Sequence, residues 1–260
     1  MGQNFLIEPA ALNKVIDSAE ILASDEVLEI GAGLGSLTRL LATKAHHVTA
    51  VEIDRTMLPI LKEVLSPFEN VTLVQGDILK LDPTSLVLGN DYIVVANIPY
   101  YITSVVLRLL LGAKNKPRKL ILTIQKEVAE RICAKNGKMS LLSLSVQIYG
   151  KPEIRASIPA GCFYPTPEIE SSVISIELLP EPLIPIDQMD LFFTLAHAGF
   201  GQKRKTLRNS LSARLPFSSE QIVEMLRQSG IDPQRRAETL TLTEWGILTQ
   251  NYQDKLSSIR

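Results

Sequence analysis

Short runs of β-branched and aliphatic residues recur along the first half of the chain, and stretches with helical spacing lie between them. Residues 27–30, 48–51, 71–74, 92–95 and 120–124 are almost continuously apolar. Runs of this kind read as strands buried on both faces. Leu37, Leu40 and Leu41 share one helical face, as do Met57, Ile60, Leu61 and Val64. The alternation predicts a parallel, doubly wound sheet. Past residue 140 the pattern changes. Residues 144–149 and 173–178 read as two further strands separated by a Pro-rich loop, and Pro180, Pro182 and Pro185 then mark a linker. From about Leu191 onward the spacing is helical only. Ser218-Ser219-Glu220 opens a helix through Gly230, and Leu242-Thr243 opens the last one. The expected organisation is an α/β domain over 1–180 and a small all-α domain over 181–260.

Composition narrows the class. With 45% hydrophobic and 21% charged residues in 260, the chain is neither disordered nor fibrous. Cys133 and Cys162 lack metal-ligand spacing, which argues against a disulfide scaffold and fits a reducing compartment. His46, His47 and His197 form no H-x-x-x-H pair, so no metal site is expected. The apolar stretches are interrupted at Arg108 and at Asn90-Asp91, so no membrane span is expected. No secretory signal opens the chain, and the cytoplasm is the expected location.

Net charge is −1, but the charges are not evenly spread. Residues 108–138 hold nine basic and two acidic residues, and 197–214 hold five basic and none acidic. Two such blocks suit a face built for a polyanion, and solvated helix surfaces would look the same in sequence.

The candidate chemistry sits at the ends of the expected strands. The first runs into Gly31-Ala32-Gly33-Leu34-Gly35, where glycines permit a tight turn and close approach of a ligand to main-chain N–H groups. The second ends at Glu52-Ile53-Asp54, where a carboxylate can accept ribose hydroxyls. The third ends at Gly76-Asp77-Ile78, where Asp77 can accept from an adenine amine. Ligands bind at the carboxyl edge of such sheets, so the three together favour an adenosine-containing cofactor. They do not choose between NAD and S-adenosylmethionine. The fourth strand ends in Asn97-Ile98-Pro99-Tyr100. Pro99 fixes its own φ and holds Ile98 extended. That shape offers the Asn97 side chain and a main-chain carbonyl as paired acceptors for the exocyclic amine of a base, and Tyr100 as a stacking face. A hydride-transfer enzyme has no need of it.

Here the sequence resembles the N6-adenine methyltransferases, whose catalytic motif is matched by Asn97-Ile98-Pro99-Tyr100. The resemblance extends over nearly the whole chain. Gly2-Gln3-Asn4-Phe5-Leu6 is similar to the opening motif of the ribosomal RNA adenine dimethylases. Gln125–Arg131 resembles their signature after the fifth strand. Phe163-Tyr164-Pro165-Thr166-Pro167, with Glu170-Ser171-Ser172-Val173, resembles their late loop. Residues 200–209 resemble the basic helix of the small-subunit (KsgA-type) branch.

The resemblance implies a Rossmann-like S-adenosylmethionine-dependent methyltransferase sheet with a small helical, RNA- or ribosome-binding domain. It implies cofactor binding by Asn4, Leu6, Gly31, Gly33, Glu52, Ile53, Asp77, Ile78 and Asn97, with Asn97, Pro99 and Tyr100 as the catalytic set. The expected reaction puts two methyl groups on N6 of each of two adjacent adenosines. These lie in a hairpin near the 3′ end of 16S (small-subunit) ribosomal RNA, within the assembling 30S subunit. Tyr100 and Phe163 are the expected stacking partners of the target base, and a core position is equally open to Phe163. Lys203, Arg204, Lys205 and Arg208 are expected on RNA phosphates, and the enzyme is expected to be a monomer. The rival readings are an Erm-type enzyme acting on large-subunit RNA and a mainly non-catalytic assembly factor. Two departures from the family stand out. Only Met1 precedes the opening motif, where relatives carry a basic segment, so a missing leader is expected. Met139-Ser140-Leu141-Leu142-Ser143 stands where relatives have Tyr-Gly before Leu-Ser, which leaves the local loop geometry open.

Overall fold

The computed structural model describes residues 4–135 and 137–258. Gly2 and Gln3 of the opening motif lie outside them. The chain forms two compact units, 1–130 with 151–179, and 131–150 with 180–260.

The first unit holds β1 (Phe5–Leu6), β2 (Glu26–Ile30), β3 (His47–Glu52), β4 (Val71–Gln75), β5 (Tyr92–Asn97), β6 (Lys119–Gln125), β7 (Gly150–Ile158), β8 (Phe163–Tyr164) and β9 (Ser171–Leu178). Seven of these make one sheet in the order β4-β3-β2-β5-β6-β9-β7, and β1 pairs with β8 apart from it. The pairs β2–β3, β3–β4, β2–β5 and β5–β6 are parallel, and β6–β9 is antiparallel. From β2 the chain steps outward to β3 and β4 and then returns to the other side of β2 at β5. The order therefore reverses between β2 and β5, which opens a crevice at their carboxyl ends.

All five runs expected as strands are strands. Four of them have buried centres; β4, at the sheet edge, is only half-buried with Thr72 exposed, so the expectation of burial on both faces fails there because one side of the strand has no neighbour. The helices α1 (Pro9–Ala19) and α2 (Ser36–Ala42) cover Val27, Val48, Ile93, Val95, Ile121 and Val173 in one cluster. The faces read for 37–41 and 57–64 belong to α2 and α3 (Leu58–Leu65); α4 (Thr103–Leu111) and α5 (Lys126–Ile132) follow β5 and β6.

Residues 144–149 are not the expected strand. They fall in and just after α6 (Leu141–Gln147), and the strand β7 begins at Gly150. Leu144-Ser145-Val146-Gln147-Ile148 alternates with period two, but Leu141, Leu144 and Ile148 also recur at helical spacing, and contacts outside the segment decide. Ser140 and Ser143 form a reciprocal capping box. Gln147 Nε2 donates to the carbonyls of Ile132 and Ala134 at 2.7 and 2.8 Å. Each such bond is worth about 1 kcal/mol net, which outweighs the small β preference of one valine and one isoleucine. The same correction moves the division between units. The expected boundary at 180 falls at the return into the helical unit, but 131–150 joins that unit as well.

In the second unit α6 packs with α7 (Met189–Phe200), α8 (Leu207–Ser212), α9 (Ser219–Gln228) and α10 (Leu242–Ser257). Trp245 is at the centre of this core, stacked on Phe200 at 5.8 Å and edge-on to Phe192 at 6.5 Å. Ser218 caps α9 through a capping box, as its sequence signal predicts, and Thr241, the residue before the expected Leu242-Thr243 start, caps α10 in the same way. The residues expected as a basic helix over 200–209 are different. Gly201 caps α7, residues 202–205 turn, and Thr206 opens α8. Among the described residues no helix is long and apolar enough to cross a membrane.

Candidate active site

A cleft of about 230 Å³ opens at the carboxyl ends of β2, β3, β4 and β5 in the first unit. Its floor is the glycine turn after β2. Gly31 and Gly33 have φ of +84° and +56°, a region that side chains other than glycine rarely adopt. A Cβ on Gly33 would stand 3.0 Å from the Phe5 ring, and one on Gly31 would stand 3.5 Å from the Asn97 carbonyl oxygen. The turn is thus bare backbone lying between β1 and β5.

Glu52 ends β3 and is buried. Its Oε2 accepts from the Gly33 N–H at 2.7 Å and its Oε1 from the Asp54 N–H at 2.9 Å. The carboxylate therefore shapes the glycine turn, and each oxygen keeps a further lone pair. Asp54 lies below the usual carboxylate range because the Thr56 hydroxyl and N–H both donate to it. Asp77, after β4, accepts from the Leu79 N–H at 3.0 Å through Oδ1, and Oδ2 has no such bond among the described residues. Ile53 and Ile78 line the cleft beside these carboxylates.

Asn97 ends β5. Its Nδ2 donates to the Asn4 carbonyl at 3.1 Å. That bond orients the amide so that Oδ1 is left as an acceptor. The following turn is held by the Ile98 N–H on the Thr123 carbonyl at 3.4 Å and by the Ile102 N–H on the Pro99 carbonyl at 3.1 Å. Pro99 has φ −55° and ψ 131°, with φ where its ring fixes it. Tyr100 is half-buried and lines the cleft, and its hydroxyl meets Ser171 Oγ at 2.8 Å.

Glu29, two residues before Gly31, is fully enclosed, and its Oε2 has no hydrogen-bond partner. Burial pushes its carboxyl up to about 7. The nearby Thr38 hydroxyl opposes the shift without reaching hydrogen-bond geometry, and the Glu52 charge adds to it.

The fold gathers Asn4, Gly31, Gly33, Glu52, Ile53, Asp77, Ile78, Asn97, Pro99 and Tyr100 around one cleft. Leu6 is placed differently. Its side chain is in the core, and it lines a small neighbouring cavity of about 30 Å³ behind the glycine turn. Of the two readings left open for Phe163, stacking face or core position, the core position is the one the structure has. Phe163 is 2% exposed and packs with Leu6 and Leu12. In the β1–β8 ladder Leu6 lies opposite Phe163 and Phe5 opposite Tyr164. Directly opposed residues share a face, so Leu6 and Phe163 point into the core, while Tyr164 shares the opposite face with Phe5, of which only Phe5 reaches the cleft wall. Tyr164 is 69% exposed. Sequence reasoning passed over Phe5, which lines the cleft, and Ser171, which meets the Tyr100 hydroxyl. Their signal was their presence inside the quoted motifs.

In the second unit Lys203, Arg204 and Lys205 are exposed, and no ion pair engages them among the described residues. Arg208 is half-buried, with its Nε enclosed and unpartnered.

The comparisons with known proteins agree with this geometry. The model of the ribosomal RNA adenine dimethylase family matches residues 1–254. The chain is 46% identical over 256 residues to "Ribosomal RNA small subunit methyltransferase A" of Dehalococcoides mccartyi (strain CBDB1), covering 97% of this chain and 87% of that one. It is 41% identical to the protein of the same name from Alkaliphilus oremlandii, over 98% and 92% of the two chains. Among solved structures, a dimethyladenosine transferase from Plasmodium falciparum superposes with a TM-score of 0.83 at 25% identity, over 96% of this chain and 98% of that one. The 23S rRNA methyltransferase ErmE superposes at 0.78, also at 25% identity, over 96% and 100%. Both have the Rossmann-like methyltransferase fold described above. The chain therefore belongs to the ribosomal RNA adenine dimethylase family.

Proposed function

We propose that the protein is an S-adenosylmethionine-dependent dimethyltransferase acting on N6 of two adjacent adenosines. Its substrate is a hairpin near the 3′ end of 16S ribosomal RNA in the assembling 30S subunit. The observation that carries this reading is the oriented amide of Asn97. One of its N–H groups is taken by Asn4 and its acceptor has no partner among the described residues, beside an aromatic ring and at the edge of a cleft with two carboxylates.

The residues fit S-adenosylmethionine. The bare glycine turn is a cradle that a side chain would fill, and Glu52 and Asp77 keep acceptor capacity. Glu52 takes the ribose hydroxyls, Asp77 takes the adenine amine, and Ile53 and Ile78 wall the adenine. Asn4 and Phe5 close the site from the amino-terminal side. When bound, S-adenosylmethionine supplies an activated methyl group.

The chain then has to hold the acceptor. An adenine amine is a poor nucleophile because its lone pair is delocalised into the ring. Asn97 Oδ1, with the main chain at Ile98–Pro99, accepts hydrogen bonds from the amine N–H groups and favours a lone pair directed at the methyl group; the methylated amine then gives up its proton to water. The contribution is alignment and electrostatics, with no dedicated base. Extruding the base from its stack costs a few kcal/mol. Stacking on an aromatic side chain returns about 1–3 kcal/mol. Tyr100 provides that face, and Tyr164 offers the exposed ring that Phe163 does not.

Lys203, Arg204, Lys205 and Arg208 serve phosphates in this reading, and such contacts position an RNA without reading its sequence. The enzyme works as a monomer in the cytoplasm. The test is methyl transfer from labelled S-adenosylmethionine to unmethylated small subunits and, in parallel, to large-subunit RNA, with the nucleosides identified after digestion. N6,N6-dimethyladenosine from small subunits alone is expected. Label in large-subunit RNA would move the assignment to the Erm type. Subunit binding without transfer would favour an assembly factor.

A further inference from the structure

Tyr100 sits where three separated segments of the chain meet. Its hydroxyl is 2.8 Å from Ser171 Oγ. Ser171 is 0% exposed and is the first residue of β9, opposite Gln125, the last residue of β6. The junction is closed twice more. The Lys126 N–H donates to the Glu170 carbonyl at 3.1 Å, and Lys126 Nζ pairs with the Glu170 carboxylate at 2.8 Å. On the other side the Thr103 hydroxyl donates to the Tyr100 carbonyl at 3.2 Å. The backbone at Tyr100 is thus held from α4, and the far end of its ring is held from the sheet.

A tyrosine side chain turns about two bonds, χ1 and χ2. The Pro99 turn places the Tyr100 backbone but leaves both torsions free. A hydrogen bond at the hydroxyl, from a donor or acceptor locked into a sheet, removes most of that freedom. We infer that Ser171 is a positioning residue: it fixes the plane of the Tyr100 ring along the cleft wall so that the face is ready for the extruded adenine. Lys126 and Glu170 keep the Ser171 end of this clamp in place. Three motifs, at 97–100, 125–131 and 170–173, thereby contribute to one device. The inference rests on the reading of Tyr100 as the base platform.

The expected signature is a split between kinetic constants. A pre-set ring matters after the base has left its stack, so the loss should fall on kcat more than on KM for the subunit. Ser171→Ala and Tyr100→Phe each remove the same bond. Each should lower kcat by about fivefold to tenfold, one net hydrogen bond's effect on the reaction. The double variant should be no slower than either single one, because only one interaction exists to be lost. Affinity for S-adenosylmethionine should stay within about twofold of wild type, and Ser171→Thr, which keeps the hydroxyl, should recover most of the rate. With 2-aminopurine at the target position, the Ser171→Ala complex should be brighter than wild type, reporting weaker stacking.

Multiplying losses in the double variant would overturn the inference. So would a Ser171→Ala variant with wild-type kcat, or one that loses folding stability and cofactor affinity while Tyr100→Phe keeps full rate. Tyr100→Ala separates the two levels. If it keeps full activity, the platform reading itself fails. If it is impaired while Ser171→Ala is unaffected, only the role of Ser171 falls.

Discussion

Replacing Glu29 with glutamine removes a buried carboxyl that ionises near 7 and, with it, a pH dependence of stability. In the unfolded chain a glutamate ionises near about 4.3. Between these two values the unfolded chain has released a proton that the folded chain still holds. Raising pH through that window therefore favours unfolding. Below about 4.3 the group is neutral in both states and contributes nothing, and above 7 the loss is complete. Just under three pH units at about 1.4 kcal/mol each gives an upper figure of roughly 3–4 kcal/mol. Glutamine has the same shape and cannot ionise, so it escapes this loss. The assay is thermal unfolding of wild type and Glu29→Gln at several pH values from 5 to 8.5. The difference between the two proteins is the quantity to follow, since it cancels the titrating groups that do not interact with Glu29. It should move in favour of the variant as pH rises, by several degrees and at most about 10 °C in midpoint for a domain of this size. A difference that stays constant across the range would refute the argument, because the buried carboxyl would then ionise as an ordinary glutamate does.

Other outcomes follow from the same geometry. Asn97→Ala should lower methyl transfer by about 100-fold or more, comparable to losing one preorganised polar contact at a reacting centre, while binding to small subunits persists; transfer and sedimentation assays on the same preparation separate the two. Tyr164→Ala should weaken subunit binding by about fivefold to a hundredfold through the loss of one stacking face, with Tyr164→Phe near wild type, and titration calorimetry with S-adenosylmethionine should show no change. Joint replacement of Lys203, Arg204 and Lys205 by alanine should make the slope of log affinity against log salt shallower by about 2–3. An unchanged slope would take these three residues off the phosphates.

The amino-acid sequence alone determined the central sheet and most of the cleft. Residues 27–30, 48–51 and 92–95 are buried on both faces whatever covers them, so their apolar runs state their role directly. The chemistry of the cleft is written at the ends of those same runs. Glu52 and Asn97 end their strands, Gly31 and Asp77 follow theirs by one or two residues, and a parallel sheet brings all such ends to one edge. Local spacing therefore carries over to a three-dimensional site.

Only the tertiary structure decided the rest, and in each case the deciding partner is distant in the chain. Residues 144–148 satisfy both periods, and the carbonyls of Ile132 and Ala134 select the helix. Phe163 and Tyr164 are adjacent aromatics, and the pairing with Leu6 and Phe5 sends one inward and the other outward. Glu29 looks like any strand carboxylate until its enclosure raises its ionisation. The hydroxyl that holds Tyr100 comes from Ser171, 71 residues away. Periodicity records which way a side chain points along its own element. Which atoms it meets there, and how far it is removed from water, is settled by packing among elements that the local sequence does not contain.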